Sequence, residues 1–196
     1  MSLYQIKQIC GILLAAGHSR RFGNDDKLMQ PLADGRIMAI AAGQTLLQAL
    51  PNSFAIARNP ALIQKFKAVN IPTLSCPPHA QEMADSLIAA IHHAHTNLAV
   101  DGYVIVLADM PYIRQETITA VAEKLATGSS IVIPTYQGQR GHPVGFSAKL
   151  TKELMQLKGD EGARSIIKKH GNQITLLSCE DAGILRDIDM PEDLKS

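Results

Sequence analysis

The chain has no tryptophan, and aromatic residues make up only 4% of its 196 residues. Proteins that grip single-stranded nucleic acid by stacking need aromatic platforms, so that class is not expected. Cysteine is scarce as well. Cys10, Cys76 and Cys179 are far apart and odd in number, which gives neither a disulfide framework nor a zinc-ligand spacing. A reducing, cytoplasmic setting is the expectation. The formal net charge is only +1. Lys and Arg are spread along the chain, so neither a nucleic-acid-binding face nor a polybasic membrane patch is expected. No apolar run approaches the ~20 residues of a membrane helix. The opening MSLYQIKQ has no apolar stretch of the kind a secretory leader needs. Two familiar glycine motifs are also missing. G-x-G-x-x-G does not occur, and Gly23 is followed by Asn24 where a P-loop would have lysine.

What is present is a folded composition, 46% hydrophobic, in a length that fits one domain with one sizeable core. The chain is organised around residues 9–27, ICGILLAAGHSRRFGNDDK. Ile9, Ile12, Leu13, Leu14, Ala15 and Ala16 make a short apolar run, the pattern of a strand buried on both faces. It ends at Gly17 and opens into a polar, basic loop. Gly17 and Gly23 let the backbone approach an anion so that N–H groups can donate. Arg21 supplies a bidentate fork and Lys27 a mobile point charge, both suited to phosphates.

Helices and strands alternate through the next hundred residues. Ile37 to Leu50 reads as a helix stopped by Pro51, and Phe54 to Ala57 as a strand. Pro60 opens a helix to about Ala68, and Ile71 to Leu74 is a short strand interrupted by Pro72. Glu82 to His95 is a helix with Met83, Leu87, Ile88 and Ile91 expected on the core face. His92, His93 and His95 near its end point in different directions, so they do not share a metal easily, and the helix dipole alone favours histidine there. Tyr103 to Ala108 is a second buried strand, followed by a helix from Arg114 to Ala126 and a strand from Ser130 to Pro134. Beyond it, Tyr136 to Phe146 reads as a turn-rich loop or hairpin and Ala148 to Leu157 as a helix. Lys158 to Ala163 breaks that helix. Another helix runs to about His170, and closing strands are expected at Ile174–Leu177 and Ile184–Asp187.

The pattern predicts a single α/β domain, three-layered α/β/α and Rossmann-like, with a mixed, mainly parallel sheet. A first part of about residues 9–135 and a closing part of about 136–196 are expected within it. Ligands in such sheets bind beyond the carboxyl ends of the strands, which puts the Gly17 loop and Asp109 on one edge. A carboxylate ending a buried strand is costly unless a cation or donor meets it. Asp189 stands at another expected strand end, just before Pro191. Taken alone, Asp109 reads equally as a cap before Pro111, and Asp189 as the cap of a last helix. Converging on a triphosphate, the two would hold one Mg²⁺, or Mn²⁺ in its place.

The segment Leu14, Ala15, Ala16, Gly17, Ser19, Arg21, Phe22, Gly23 and Lys27 resembles the L-A-A-G-x-S-x-R-[MF]-G…K signature of nucleotidyltransferases with a glycosyltransferase-A-like fold. Ala108-Asp109-Met110-Pro111 resembles their metal-binding A-D-M-P segment. Asp189-Met190-Pro191-Glu192-Asp193-Leu194 resembles the late [DN]-[TM]-P-E-D-L segment that completes the site. Within that superfamily, Arg140-Gly141-His142-Pro143-Val144 and Gly159-Asp160-Glu161-Gly162-Ala163-Arg164 look like the R-G-H-P-V and G-D-x-G-A-R segments of molybdenum cofactor cytidylyltransferases, which are MobA-like NTP transferases.

The resemblance implies a Mg²⁺-dependent transfer of CMP from CTP to the phosphate of molybdopterin carrying molybdenum. Leu14 to Gly17, Ser19, Arg21, Lys27, Ser86 and Asp109 would then bind nucleotide. Arg21, Lys27 and Asp109 would drive catalysis, with Asp109 and Asp189 holding the metal. Arg140, Gly141, His142, Pro143, Asp160 and Arg164 would bind the acceptor. A molybdenum hydroxylase is the implied partner. Ala15-Ala16 before Gly17 favours CTP, a preference shared with uridylyl enzymes. Glu82-Met83-Ala84-Asp85-Ser86-Leu87 departs from the family's Gly-Met-[Gly/Ala]-x-Ser-Leu. Glu82 stands where glycine is usual, and a carboxylate there alters backbone approach near the base. Two other expectations are kept open. One is guanylyl transfer, or nucleotidyl transfer to a sugar or polyol phosphate. The other is a non-catalytic nucleotide-binding accessory that delivers cofactor.

Overall fold

A computed structural model describes residues 8–17, 26–80, 82–159 and 162–195. Strand β1, Ile9–Ala15, sends alternate side chains to opposite faces of the sheet. Leu13 and Ala15 enter one apolar cluster, while Cys10 and Ile12 enter the other. Strands β2 (Ser53–Ala57) and β4 (Gly102–Leu107) flank it in parallel, and β3 (Thr73–Ser75) extends β2. This parallel half is apolar on both faces because helices cover both. Helices α1 (Met38–Ala49), α2 (Pro60–Ala68) and α4 (Gln115–Ala126) supply Met38, Leu46, Leu62, Phe66, Ile118, Val121 and Leu125 to one layer. Helix α3 (Met83–Leu98) supplies Leu87, Ala90, Ile91 and Ala94 to the other, joined by Leu154 of α5 (Thr151–Leu154) and Ile166 of α6 (Arg164–Lys169). Each fully buried leucine or isoleucine contributes about 1.5–3 kcal/mol.

Beyond β4 the sheet becomes mixed. Strand β7, Val144–Ser147, sits between β4 and β5 (Ile131–Tyr136) and runs antiparallel to both. The two-residue strand β6, Gln139–Arg140, folds back on β5, and β8, Ile174–Ser178, lies parallel to β5. The eight strands form one sheet, ordered β3-β2-β1-β4-β7-β5-β6 with β8 also on β5.

Several expectations are corrected. Ile184–Asp187 is not a strand: Ala182–Leu185 is a 3-10 turn, started by the Asp181 carboxylate, which accepts from the Gly183 N–H at 2.9 Å. Met83 is 47% exposed rather than core-facing. The buried stripe of α3 runs through Ala84, Leu87, Ile91 and Ala94, where small residues allow close approach to the sheet. The helix expected over 148–157 shrinks to a 3-10 turn, Ala148–Leu150, followed by α5. The Thr151 hydroxyl bonds both Ala148 O and the Tyr103 hydroxyl, each at 2.7 Å, an anchor that tightens the first turn. The stretch Tyr136–Phe146, expected as a turn-rich loop or hairpin, holds the hairpin of β6 on β5 and most of strand β7. Strand β3 begins after Pro72, which has no N–H to donate. Cys10 is fully buried and its thiol is pushed up to about 12 by desolvation, so it is a packing residue rather than a nucleophile. No helix among the described residues is long and apolar enough to cross a membrane.

Candidate active site

Lys27 is the centre of the charged edge. It opens a 3-10 turn, Lys27–Met29, whose cap Asp26 accepts from the Leu28 N–H at 3.0 Å. Asn59 donates its side-chain N–H to Asp26 at 2.6 Å, while its oxygen accepts from Ala61 N–H at the start of α2. One amide thus ties the Lys27 turn to the end of β2, and buried Leu28 seats the turn in the core.

From this turn Lys27 Nζ donates to Asp109 Oδ2 at 2.8 Å and to Asp189 Oδ1 at 3.1 Å. Asp109 stands just past β4, after Ala108. Its carbonyl accepts from Ile188 N–H at 2.9 Å, so the late segment is stitched to the β4 loop one residue before Asp189. Asp193 accepts from the Asp189 and Met190 N–H groups at 3.0 and 2.8 Å and holds that turn. These backbone hydrogen bonds keep the Asp193 carboxyl below the usual range. The Lys27 side chain is 12% exposed, against 44% for Asp189, so the cluster is closed at the lysine and open at Asp189. Burial pushes the Lys27 pKa down. The charge and hydrogen bonds of Asp109, and those of Asp189, outweigh it and leave the ammonium above its ordinary value. Among the described residues, the two carboxylates share one ammonium.

His142 sits beside this cluster. Its N–H donates to Ile184 O at 2.9 Å, and Gly141 N–H donates to Pro134 O at 3.0 Å. Gly141 lies so close to the Ile184 carbonyl that a Cβ would overlap it. The imidazole Nδ1 is buried and has no hydrogen-bond partner among the described residues. Burial lowers the His142 pKa, and Arg164 adds to the fall. The charges of Asp109 and Asp187 oppose it without reversing it, so the ring is neutral at neutral pH.

The other expected site residues divide. Leu14, Ala15 and Ala16 lead to Gly17 at the carboxyl end of β1, where a Cβ on Gly17 would meet nothing within 4 Å. Ser19, Arg21, Phe22, Gly23 and Asp160 lie outside the described residues. Ser86 is buried near the start of α3, and its hydroxyl donates to Met83 O at 2.9 Å, so it does not join the Lys27 cluster. Pro143 is buried, while Arg140 and Arg164 are exposed, Arg140 on β6 and Arg164 at the start of α6. Glu82 completes a capping box with Asp85, and its carboxylate accepts from Gly159 N–H at 2.7 Å. It therefore fastens α3 to the segment that precedes α6.

Sequence reasoning missed Asp26, Asn59 and Asp181. Asn59-Pro60 carried a capping signal for α2, but nothing local tied it to Lys27. Arg58 also went unnoticed; its Nε donates to Ala16 O at 3.4 Å, beside Gly17.

A parallel β3-β2-β1-β4 run with a glycine-ended first strand, and a Lys–Asp–Asp cluster on its carboxyl edge, is the build of an α/β nucleotidyltransferase. The chain belongs to the MobA-like NTP transferase family, whose domain model matches residues 11–174. It is 27% identical over 204 residues to the purine catabolism protein PucB of Bacillus subtilis, covering 94% of this chain and 93% of that one. It is 25% identical over 197 residues to the nicotine blue oxidoreductase of Paenarthrobacter nicotinovorans, covering 95% and 94%. The crystal structure of Rv0371c from Mycobacterium tuberculosis superimposes with a TM-score of 0.81 at 24% identity, covering 97% of each chain. The same mycobacterial protein has been solved in complex with manganese, with a TM-score of 0.75 at 22% identity over 96% of this chain and 97% of that one.

Proposed function

We propose that the protein transfers CMP from CTP to the phosphate of molybdenum-carrying molybdopterin, releasing pyrophosphate in a Mg²⁺-dependent reaction. The observation that carries this is the meeting of Asp109 and Asp189 on Lys27 at the carboxyl edge of the sheet. A divalent cation fits that donor set. Both groups offer hard oxygen ligands, and they already share one positive charge. No cluster of three or more His, Cys, Asp or Glu occurs among the described residues. Phosphate oxygens and waters would fill the remaining positions, as is usual for Mg²⁺. The manganese complex of the mycobacterial relative supports a divalent ion in this fold. Bound there, the ion supplies charge neutralisation at the triphosphate.

The chain's own residues do the rest. Backbone N–H groups beside Gly17 would donate to the phosphates, and the charges of Lys27 and Arg21 would neutralise them. Arg140 and Arg164 draw in the acceptor phosphate as bidentate partners. An oxygen of that phosphate attacks the α-phosphorus of CTP. The bond from this phosphorus to the oxygen bridging to the β-phosphate breaks, and pyrophosphate leaves with the electron pair. A phosphate monoester is already ionised near neutrality, so no general base is required. Neutral His142 orients the acceptor rather than deprotonating it. The dinucleotide product would pass to a molybdenum hydroxylase.

The test is pyrophosphate release with Mg²⁺ and purified molybdenum-loaded pterin, run in parallel with CTP, GTP, UTP and ATP. Release with CTP alone is expected. Release with a different nucleotide keeps the chemistry and overturns the base. Silence with all four, from folded protein that binds nucleotide, overturns the acceptor and turns attention to a sugar or polyol phosphate, or to an accessory role.

A further inference from the structure

Asp181 is an acidic side chain that the mechanism above leaves unused. It is 2% exposed. Its Oδ2 accepts from Arg114 N–H at 2.9 Å and from the Thr117 hydroxyl at 2.7 Å, and its Oδ1 accepts from Gly183 N–H at 2.9 Å. Arg114 and Thr117 belong to the first turn of α4, which follows the Asp109 loop. A buried carboxylate with three donors at a helix start is a strong fastening.

What it fastens is the segment 181–189. Gly183 lies against the Tyr112 carbonyl so closely that a Cβ would collide with it. Ile184 is fully buried, and its carbonyl accepts from His142 N–H at 2.9 Å. The Arg186 guanidinium lies 3.9 Å from the centre of the Tyr112 ring. Ile188 is fully buried and donates its N–H to Asp109 O at 2.9 Å. Asp189 comes next. The segment thus touches the loop that carries Asp109 and the loop that carries His142 before it delivers Asp189, and Asp181 is its starting peg.

We infer that Asp181 is a positioning residue of the metal site. Through the segment it anchors, it fixes Asp189 opposite Asp109 without touching substrate or metal. This rests on the proposal that the two carboxylates hold a divalent ion. Asp181→Asn keeps the shape but sets an amide donor against the Arg114 N–H.

The experiment titrates Mn²⁺ by electron paramagnetic resonance in the presence of a non-hydrolysable CTP analogue, on wild type and Asp181→Asn. Analogue affinity without metal and amide exchange at Gly183 and Ile188 are measured alongside. The expected result is a Mn²⁺ dissociation constant raised about tenfold. Metal-free analogue affinity stays close to wild type, and exchange at Gly183 and Ile188 accelerates. Unchanged Mn²⁺ affinity overturns the inference, and so does an equal loss of metal-free analogue binding, which marks a general structural role. If Asp181→Asn does not fold, Thr117→Val removes one donor alone; a smaller rise in the same direction supports the inference, and no rise overturns it. A wild-type protein that binds no Mn²⁺ with the analogue overturns the metal site itself, a result separable from failure of the variant alone.

Discussion

The stretch from β1 to β4 and the stretch beyond β5 are built by different means. In the first, side chains decide. Leu13, Ala15, Ala55, Val104 and Val106 fill one face of the sheet and Cys10, Ile12, Ile56 and Ile105 the other. In the second, distant polar groups decide. Asp181 reaches back to Thr117, Glu82 reaches forward to Gly159, and the His142 N–H finds the Ile184 carbonyl. The first part is a frame, and the second is a set of loops pinned onto it. The proposed site lies where the two meet, with Lys27 and Asp109 from the frame and Asp189 and His142 from the pinned part.

The contrast can be broken at the junction first. Asp109→Ala should cut pyrophosphate release by about a thousandfold, with a thermal melt close to wild type because Asp189 still pairs with Lys27. A loss of folding instead would make Asp109 part of the frame. Within the frame, Leu13→Ala should cost about 2–5 kcal/mol in urea unfolding, since Leu13 is 1% exposed and surrounded by apolar side chains. Among the pins, Gly183→Ala should cost about 1–3 kcal/mol. Its Cβ would run into both the Tyr112 carbonyl and the Asp181 carboxylate, so the segment must move. A drop in activity larger than the drop in stability would show that the pin governs the site.

The smallest effect is one of pH. Burial holds the His142 pKa below its ordinary value, so the folded state binds fewer protons there than the unfolded state. The stability of the buried neutral ring is complete above the ordinary imidazole value and is lost as pH falls below it. Between about pH 7 and pH 5, wild type should lose stability more steeply than His142→Gln, by at most about 1.4 kcal/mol per pH unit. Equal slopes in urea-unfolding curves would remove His142 as the cause.

The same division explains what could be read from the chain. Helices α1, α2 and α4 fall within a residue of their expected bounds at either end, because apolar spacing, Pro51 and Pro60 are local signals. The 3-10 turn at Ala182–Leu185 was misread as a strand because its cause is partly remote. The chain pattern around Ile184 looks extended, and only the Asp181 carboxylate, fixed on α4, bends it. Asp109 and Asp189 stand out in the sequence through the resemblance of Ala108–Pro111 and Asp189–Leu194 to family segments, and the structure brings both onto Lys27. That Lys27 joins them does not stand out, since Lys27 lies 82 residues from Asp109 and 162 from Asp189, and its charge reads equally well as a phosphate contact. Met83 was misplaced for a geometric reason. The first residue of a helix can satisfy the spacing and still overhang the core.

Strand β7 carries one more lesson. It runs opposite to β4 and β5, as the two-residue β6 also does to β5, so the rule that a strand delivers its functional residues from its carboxyl end inverts there. Arg140 to Pro143 come before β7, and the reversal is what brings them to the same rim as Gly17 and Asp109. Had β7 run parallel to its neighbours, the same four residues would stand at the far rim, and Ser147 would look onto the site instead. The direction of four residues, Val144 to Ser147, decides which end of the motif is chemistry and which is scaffold.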